Sequence, residues 1–205
     1  MKKILVLFAH PSLHRSEVNL PLFKAAKKID HVEVVDLYGE YPTYHIDIDK
    51  EQRRLLEHDI IIFQFPLYWY STPSILKEWQ DLVLEYGFAY GEQGQALKNK
   101  YFMCVISAGS KENAYQADGM NRSSIRDLLL PLAQMANLTG MVYLAPFTLF
   151  GARTAVEENK IGLHISAYHS LLMGLIHEQI DLRQLTQVDH LTAANLSLVV
   201  NTEQE

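Results

Sequence analysis

Cysteine is almost missing from this chain. One residue of 205, Cys104, allows neither an internal disulfide nor a cysteine-built zinc site, and it fits a reducing compartment. Clustered positive charge is also missing. The formal net charge is −6, and no basic run exceeds two residues; one of them, Arg53–Arg54, sits between Glu51 and Glu57. No nucleic acid partner is expected, because phosphate binding needs a clustered basic face. No stretch reaches the roughly 18 consecutive apolar residues of a membrane span. The apolar run Ile4–Ala9 after Met1-Lys2-Lys3 is interrupted by His10-Pro11, too early for the roughly 7–15-residue core of a signal peptide. A cytoplasmic protein is expected.

Several catalytic signatures are absent as well. There is no G-x-x-x-x-G-K-[ST], which argues against a P-loop NTPase. Gly91-Glu92-Gln93-Gly94 is not G-x-G-x-x-G and does not open a helix. The ends of the first and third apolar runs carry His10 and Pro66 rather than the acids of a response regulator. No G-x-S-x-G elbow marks a serine hydrolase, and no H-E-x-x-H marks a metal site. The spacing of His164, His169 and His177 reads as surface positions on a helix, so no metal is expected.

What is present is ordinary globular composition, 48% hydrophobic and 20% charged, in a pattern of apolar runs alternating with helix-period segments. The runs Lys3–Ala9, Val32–Leu37, Asp59–Phe65, Tyr101–Ser107 and Met141–Leu149 read as strands. Ser16–Ile29, Asp49–His58, Pro73–Tyr86, a segment over 121–138 broken near Pro131, and Glu157–Glu178 read as helices. In the last helix Leu163, Tyr168, Leu171, Leu172, Leu175 and Ile176 read as core. Residues 87–100 form a long loop, and the tail from about 180 shows no clear period. Five strands alternating with helices predict an α/β fold, a parallel sheet covered on both faces. One domain over 1–180 and a C-terminal tail over 181–205 is the simplest division. Ligands of such sheets bind beyond the carboxyl ends of the strands, which directs attention to three loops.

The first loop places Ser16-Glu17-Val18-Asn19 before a helix, where free N–H groups suit a phosphate. Ser16 also reads as a simple helix cap. The second, Phe65-Pro66-Leu67-Tyr68-Trp69-Tyr70-Ser71-Thr72-Pro73, carries three consecutive aromatics between prolines. Flat side chains beside turn N–H groups suit a planar heteroaromatic ligand, with a loop-stabilising cluster or a dimer patch as the alternative. The third, Ser107-Ala108-Gly109-Ser110 followed by Tyr115, lets backbone approach a ligand closely.

Together, His10 with Ser16–Asn19, the block Phe65–Trp79 and Gly87-Phe88-Ala89-Tyr90 resemble the flavodoxin-like NAD(P)H:quinone oxidoreductases. The likeness covers roughly residues 1–180. Asp36-Leu37-Tyr38, Tyr41-Pro42 and Ile46-Asp47-Ile48-Asp49 resemble most closely the Kef ancillary proteins, cytoplasmic subunits that regulate glutathione-gated potassium efflux. The resemblance implies a flavodoxin-like three-layer α/β/α sandwich with a five-stranded parallel sheet in the order 2-1-3-4-5. It implies a flavin cofactor, FMN or alternatively FAD, and NAD(P)H as co-substrate. His10, Ser16, Glu17, Val18 and Asn19 would then hold the phosphate and ribityl chain. Pro66, Leu67, Tyr68, Trp69 and Tyr70 would lie along the isoalloxazine ring, with Ser107, Ala108, Gly109 and Ser110 beside its redox-active part. Tyr115 would be the catalytic tyrosine, and Tyr90, from the second subunit of a homodimer, would wall the substrate pocket.

The chain departs from the family in two places. Ser107-Ala108-Gly109-Ser110 replaces Thr-Thr-Gly-Gly, and Asn121 stands where some members pair a histidine with the tyrosine. Two functions follow from the resemblance. One is an NAD(P)H dehydrogenase (quinone), passing two electrons to a quinone or another small acceptor by a ping-pong mechanism. The other is an ancillary regulatory subunit of a membrane potassium-efflux transporter, peripheral at the inner face of the cell membrane, with little catalytic role.

Overall fold

The computed structural model describes residues 1–200. Four strands form where the apolar runs predict them: β1 (Ile4–Phe8), β2 (Val32–Asp36), β3 (Ile60–Pro66) and β4 (Tyr101–Ala108). All pair in parallel, in the order β2-β1-β3-β4. β1 and β3 are buried along their whole length, as the covered strands of a doubly wound sheet must be.

The fifth strand is the first correction. Met141–Leu149 is not continuous but divides into β5 (Val142–Tyr143) and β6 (Phe147–Phe150), both pairing with β4. Tyr101 pairs with Val142 and Val105 with Phe147, so the register slips by one residue between them. The interruption falls at Leu144-Ala145-Pro146. Proline has no N–H to give to the ladder, and the Ala145 N–H turns away to the carbonyl of Leu185 at 2.9 Å.

On one face of the sheet lie α2 (Leu37–Glu40), α3 (Ile48–Glu57), α4 (Ser74–Val83), α5 (Ile125–Leu128) and α6 (Leu130–Leu138). On the other lie α1 (Asn19–Ala26), α7 (Lys160–Ile176) and α8 (Leu182–Gln187). Asp47 caps α3, accepting from the Lys50 N–H at 3.0 Å. Ser124 and Asp127 form a capping box on α5.

The first face encloses a carboxylate. Glu51 is fully buried and accepts from the Tyr41 hydroxyl at 2.7 Å and the Trp79 indole N–H at 2.8 Å, with the Arg54 guanidinium alongside. The carboxylates of Glu40 and Glu51 raise the affinity of Arg54 for its proton, and burial, with the Glu51 carboxylate beside it, holds the Tyr41 hydroxyl protonated. Glu51→Gln is expected to lower unfolding free energy by about 2 kcal/mol, because one amide cannot satisfy three donors. Urea denaturation checks this.

Two further expectations are corrected on α7. His164 is buried rather than a surface residue, and Leu163 is 63% exposed rather than core. The helical register turns His164, with Tyr168, Leu171, Leu172 and Leu175, toward the sheet, and Leu163 away from it. The segment after 180, aperiodic in sequence, forms α8 and a 3-10 turn (Leu196–Val199) and buries Leu185, Leu191 and Val199 in the second face. Cys104 is buried in β4, and burial pushes its thiol pKa up, so it is an inert core residue. Among the described residues no helix is long and apolar enough to cross a membrane.

Candidate functional site

A cleft of about 880 Å³ opens at the carboxyl end of the sheet. All three loops singled out in the sequence line it. His10, Ser16, Glu17, Val18 and Asn19 come from the first, Pro66 to Tyr70 from the second, and Ser107, Gly109, Ser110 and Tyr115 from the third.

The first wall is a donor-rich turn. After a 3-10 turn (Leu13–Arg15), the Ser16 hydroxyl oxygen accepts from the Asn19 N–H at 2.8 Å. Ser16 closes the 3-10 turn and Val18 is the residue before α1, so Ser16 is not the helix cap itself, though its hydroxyl oxygen ties down the first amide of α1 and its hydroxyl proton is still free to donate. Among the described residues the N–H groups of Glu17 and Val18 have no partner. They stand beside the N-terminus of α1, where unpaired amides and the helix dipole favour an anion. Asn19 is buried and donates from Nδ2 to the Ser107 hydroxyl at 2.9 Å, tying the first wall to the third. His10 is buried, and burial lowers its pKa. Its Nδ1 accepts from the Ser12 N–H at 3.1 Å, so the neutral ring carries its proton on Nε2.

The second wall is a strained turn. Tyr68 to Ser71 close through a Ser71 N–H to Tyr68 carbonyl bond of 3.0 Å, with φ of 49° at Trp69 and 63° at Tyr70. Positive φ at both central positions is the hairpin geometry that normally takes Asn-Gly. Here two large aromatics occupy it, at a steric cost to each. The turn holds Trp69 91% exposed at the mouth of the cleft. Among the described residues the N–H groups of Trp69 and Tyr70 are unpartnered.

In the third wall the alternation along β4 separates two neighbours. Ser107 faces the cleft, whereas Ala108 is fully buried on the opposite face and does not line it. The expectation that the Ala108 side chain meets the ligand is corrected accordingly, and its lack of a hydroxyl takes no side-chain donor from the cleft. Ser110 donates its N–H toward the Tyr115 hydroxyl at 3.5 Å. Asn121 does not engage Tyr115. It accepts from the Tyr70 hydroxyl at 3.2 Å, and its Nδ2 is buried without a partner among the described residues. Tyr90 lies apart from the cleft of its own chain, its ring 5.7 Å from that of Tyr86.

The sequence reading missed a fourth wall. Ala152 and Arg153, leaving β6, line the cleft, as do Ser12 and Met120. Arg153 packs over Gly109, its Nε 3.2 Å from where a Cβ on that glycine would stand. The available signal was an arginine just beyond the carboxyl end of the last strand, the same rule that selected the other three loops.

Four strand ends, an anion-ready turn and an aromatic-walled slot meet at the carboxyl rim of a 2-1-3-4-5 sheet. The match to the flavodoxin-like fold family extends over residues 2–172. This chain belongs to that family. It is 46% identical over 170 residues to the glutathione-regulated potassium-efflux system ancillary protein KefG of Cronobacter sakazakii, covering 83% of this chain and 92% of that protein. The crystal structure of general stress protein 14 from Treponema denticola in complex with FMN superposes with a TM-score of 0.79 at 34% identity, over 84% of this chain and 99% of that one. An NADPH-quinone reductase from P. pentosaceus superposes with a TM-score of 0.74 at 33% identity, over 82% and 96%.

The cleft of the flavodoxin-like chain fits a flavin mononucleotide. Unpaired amides at Glu17 and Val18 suit its phosphate. Unpaired amides at Trp69 and Tyr70, with the orphaned Asn121 Nδ2, suit the hydrogen-bonding edge of a ring.

Proposed function

We propose that this chain is a flavin-dependent NAD(P)H:quinone oxidoreductase that binds FMN in the cleft. The observation that carries the reading is the Tyr68–Ser71 turn. It holds two aromatics at positive φ beside unpaired amides, an arrangement that costs the free protein stability and gives a planar ligand both a surface and donors. The likeness to an FMN complex and to an NADPH-quinone reductase supports it. Bound there, the flavin would supply two-electron hydride chemistry between NAD(P)H and a quinone, the two reactants taking the same open face in turn.

The chain's own part is binding and orientation. Ser16, Glu17, Val18 and Asn19 hold the phosphate end, with neutral His10 adding an Nε2–H donor without adding charge. Pro66 to Tyr70 form the platform. Ser107, Gly109 and Ser110 contribute close backbone, and the backbone of Ala108 joins them behind the cleft. Tyr115 is the hydroxyl beside the reacting part of the ring, a donor placed before the reaction begins. Tyr90 is assigned to the substrate pocket of a second copy in a homodimer.

Freshly purified protein is expected to be yellow and to release FMN, identified by mass spectrometry. Colourless protein that FMN fails to reconstitute overturns the reading. Ser16→Ala is expected to weaken FMN binding about tenfold, the worth of one charge-assisted hydrogen bond of roughly 1.5 kcal/mol. It also loses the bond from the Asn19 N–H, worth about 1 kcal/mol of stability. A flavin fluorescence titration, with a melt of the flavin-free protein, separates the two effects.

The KefG likeness favours a second role as the ancillary subunit of a potassium-efflux transporter, docked from the cytoplasmic side. Reconstitution with a glutathione-gated transporter and Tyr115→Phe tests it. Potassium flux that persists when turnover falls supports a binding role. Flux that falls in step with turnover removes its independence from catalysis.

A further inference from the structure

The family match ends at residue 172, inside α7. The Treponema denticola chain is spanned to 99% by 84% of this one. Residues beyond about 180 are therefore additional to the shared body, yet they are built into it. The Leu191 N–H donates to the Pro146 carbonyl and the Thr148 N–H to the Leu191 carbonyl, both at 2.8 Å, so this segment pairs along β6. Leu191 is fully buried.

That anchorage delivers residues 186–190 to the wall of the cleft. His190 Nε2 lies 2.8 Å from Glu112 Oε1, in the 3-10 turn (Glu112–Ala114) that leads directly into Tyr115. The His190 ring packs on its edge against Phe150 at 5.1 Å, and Phe150 packs against Tyr115 at 5.5 Å. Behind the same wall, the Arg126 guanidinium donates to the carbonyls of Asp189 and Thr186, each at 3.2 Å. Glu112 and Asn113 are exposed, while Ala114 packs against the core and its carbonyl accepts from the Asn121 N–H at 2.9 Å. Among the described residues the hydrogen bond to the Tyr115 hydroxyl is the long 3.5 Å one from the Ser110 N–H.

We infer that the C-terminal segment is a strut for the Tyr115 wall, with His190 as its positioning residue: it grips Glu112 and backs Phe150, and so fixes where the Tyr115 hydroxyl stands in the cleft. A partly exposed side-chain hydrogen bond such as His190–Glu112 adds little to global stability. The contribution of His190 is therefore local order in residues 111–122 rather than folding. The role of Tyr115 toward a flavin rests on the proposed function, whereas the bracing of the turn does not.

Hydrogen exchange of the flavin-free protein tests the bracing directly. His190→Ala is expected to speed amide exchange several-fold in residues 111–122 while leaving β1 and β3 unchanged. His190→Gln, which keeps a donor to Glu112 and a planar group near Phe150, is expected to restore most of the protection. Glu112→Ala, an exposed change that leaves the core intact, is expected to reproduce the His190→Ala pattern, and the double variant to add nothing to either. With FMN bound, His190→Ala is expected to shift the flavin reduction potential and kcat while leaving the KM for NAD(P)H near its original value. Unchanged exchange in 111–122 in both single variants overturns the strut. Altered exchange without FMN binding leaves the strut standing and removes the flavin reading alone. Altered exchange with an unchanged potential removes the positioning of Tyr115.

Discussion

Replacing Trp69-Tyr70 by Asn-Gly is expected to raise the melting temperature of the flavin-free protein and to lower its affinity for FMN by about 100-fold. The two effects have one source. Trp69 and Tyr70 sit at φ of 49° and 63°, where a β-carbon costs about 1–2 kcal/mol per residue. Asn-Gly accepts that geometry readily, so relief of about 2 kcal/mol corresponds to a rise of about 4–8 °C in a chain of this size. Against this stands the loss of two aromatic platforms. At about 1.5 kcal/mol of ring contact each, near 3 kcal/mol of binding disappears, which is about two decades in Kd. The Tyr70 bond to Asn121 is lost as well, leaving both polar ends of that amide unpaired. Scanning calorimetry of the stripped protein and a flavin titration read the two halves separately. A lower melting temperature would show that the turn is not strained. Unchanged FMN affinity would show that the ring does not lie there.

The second large effect is in pH. His164 is 2% exposed, stacked on Phe147 at 4.6 Å, and neither ring nitrogen has a partner among the described residues. Burial pulls its pKa down from 6.5 to about 4. The unfolded chain therefore takes up a proton in a range where the folded chain refuses it. This contribution to stability is complete above pH 6.5. It is lost as the pH falls from 6.5 through 4 and is constant below that. A shift of this size corresponds to about 3 kcal/mol. His164→Leu removes the titration. Its urea midpoint is expected to exceed that of the parent increasingly from pH 6.5 down to pH 4, the two curves running parallel above pH 7. A parent curve already flat between pH 7 and pH 4 would place the imidazole in water.

The loops of the site were legible because their chemistry is contiguous. Ser16 to Asn19, Pro66 to Tyr70 and Ser107 to Ser110 each announce a turn, and a rule of sheet topology assembles them at one rim. Three things were not legible. Ala108 was grouped with its neighbours, but strand alternation turns it to the core. Arg153 was passed over because nothing local distinguishes an arginine that leaves a strand beside the cleft from one that meets only solvent. The strain at Trp69-Tyr70 depends on φ, which aromatic residues in sequence do not declare.

From its residues alone the chain determines four strands, the helices between them and the loops that carry ligand chemistry. Each of these depends on near neighbours: a run of apolar side chains, a proline boundary, a serine three residues before an amide. The division of the fifth strand, the burial of His164 and the grip of His190 on Glu112 came from packing. They depend on partners such as Ala145 with Leu185 and His190 with Glu112, far apart in the chain and brought together only when both faces of the sheet close. Short-range sequence carries the free energy of making a strand or a turn, whereas which side chain ends at which distant carboxylate is set by how the whole core fills.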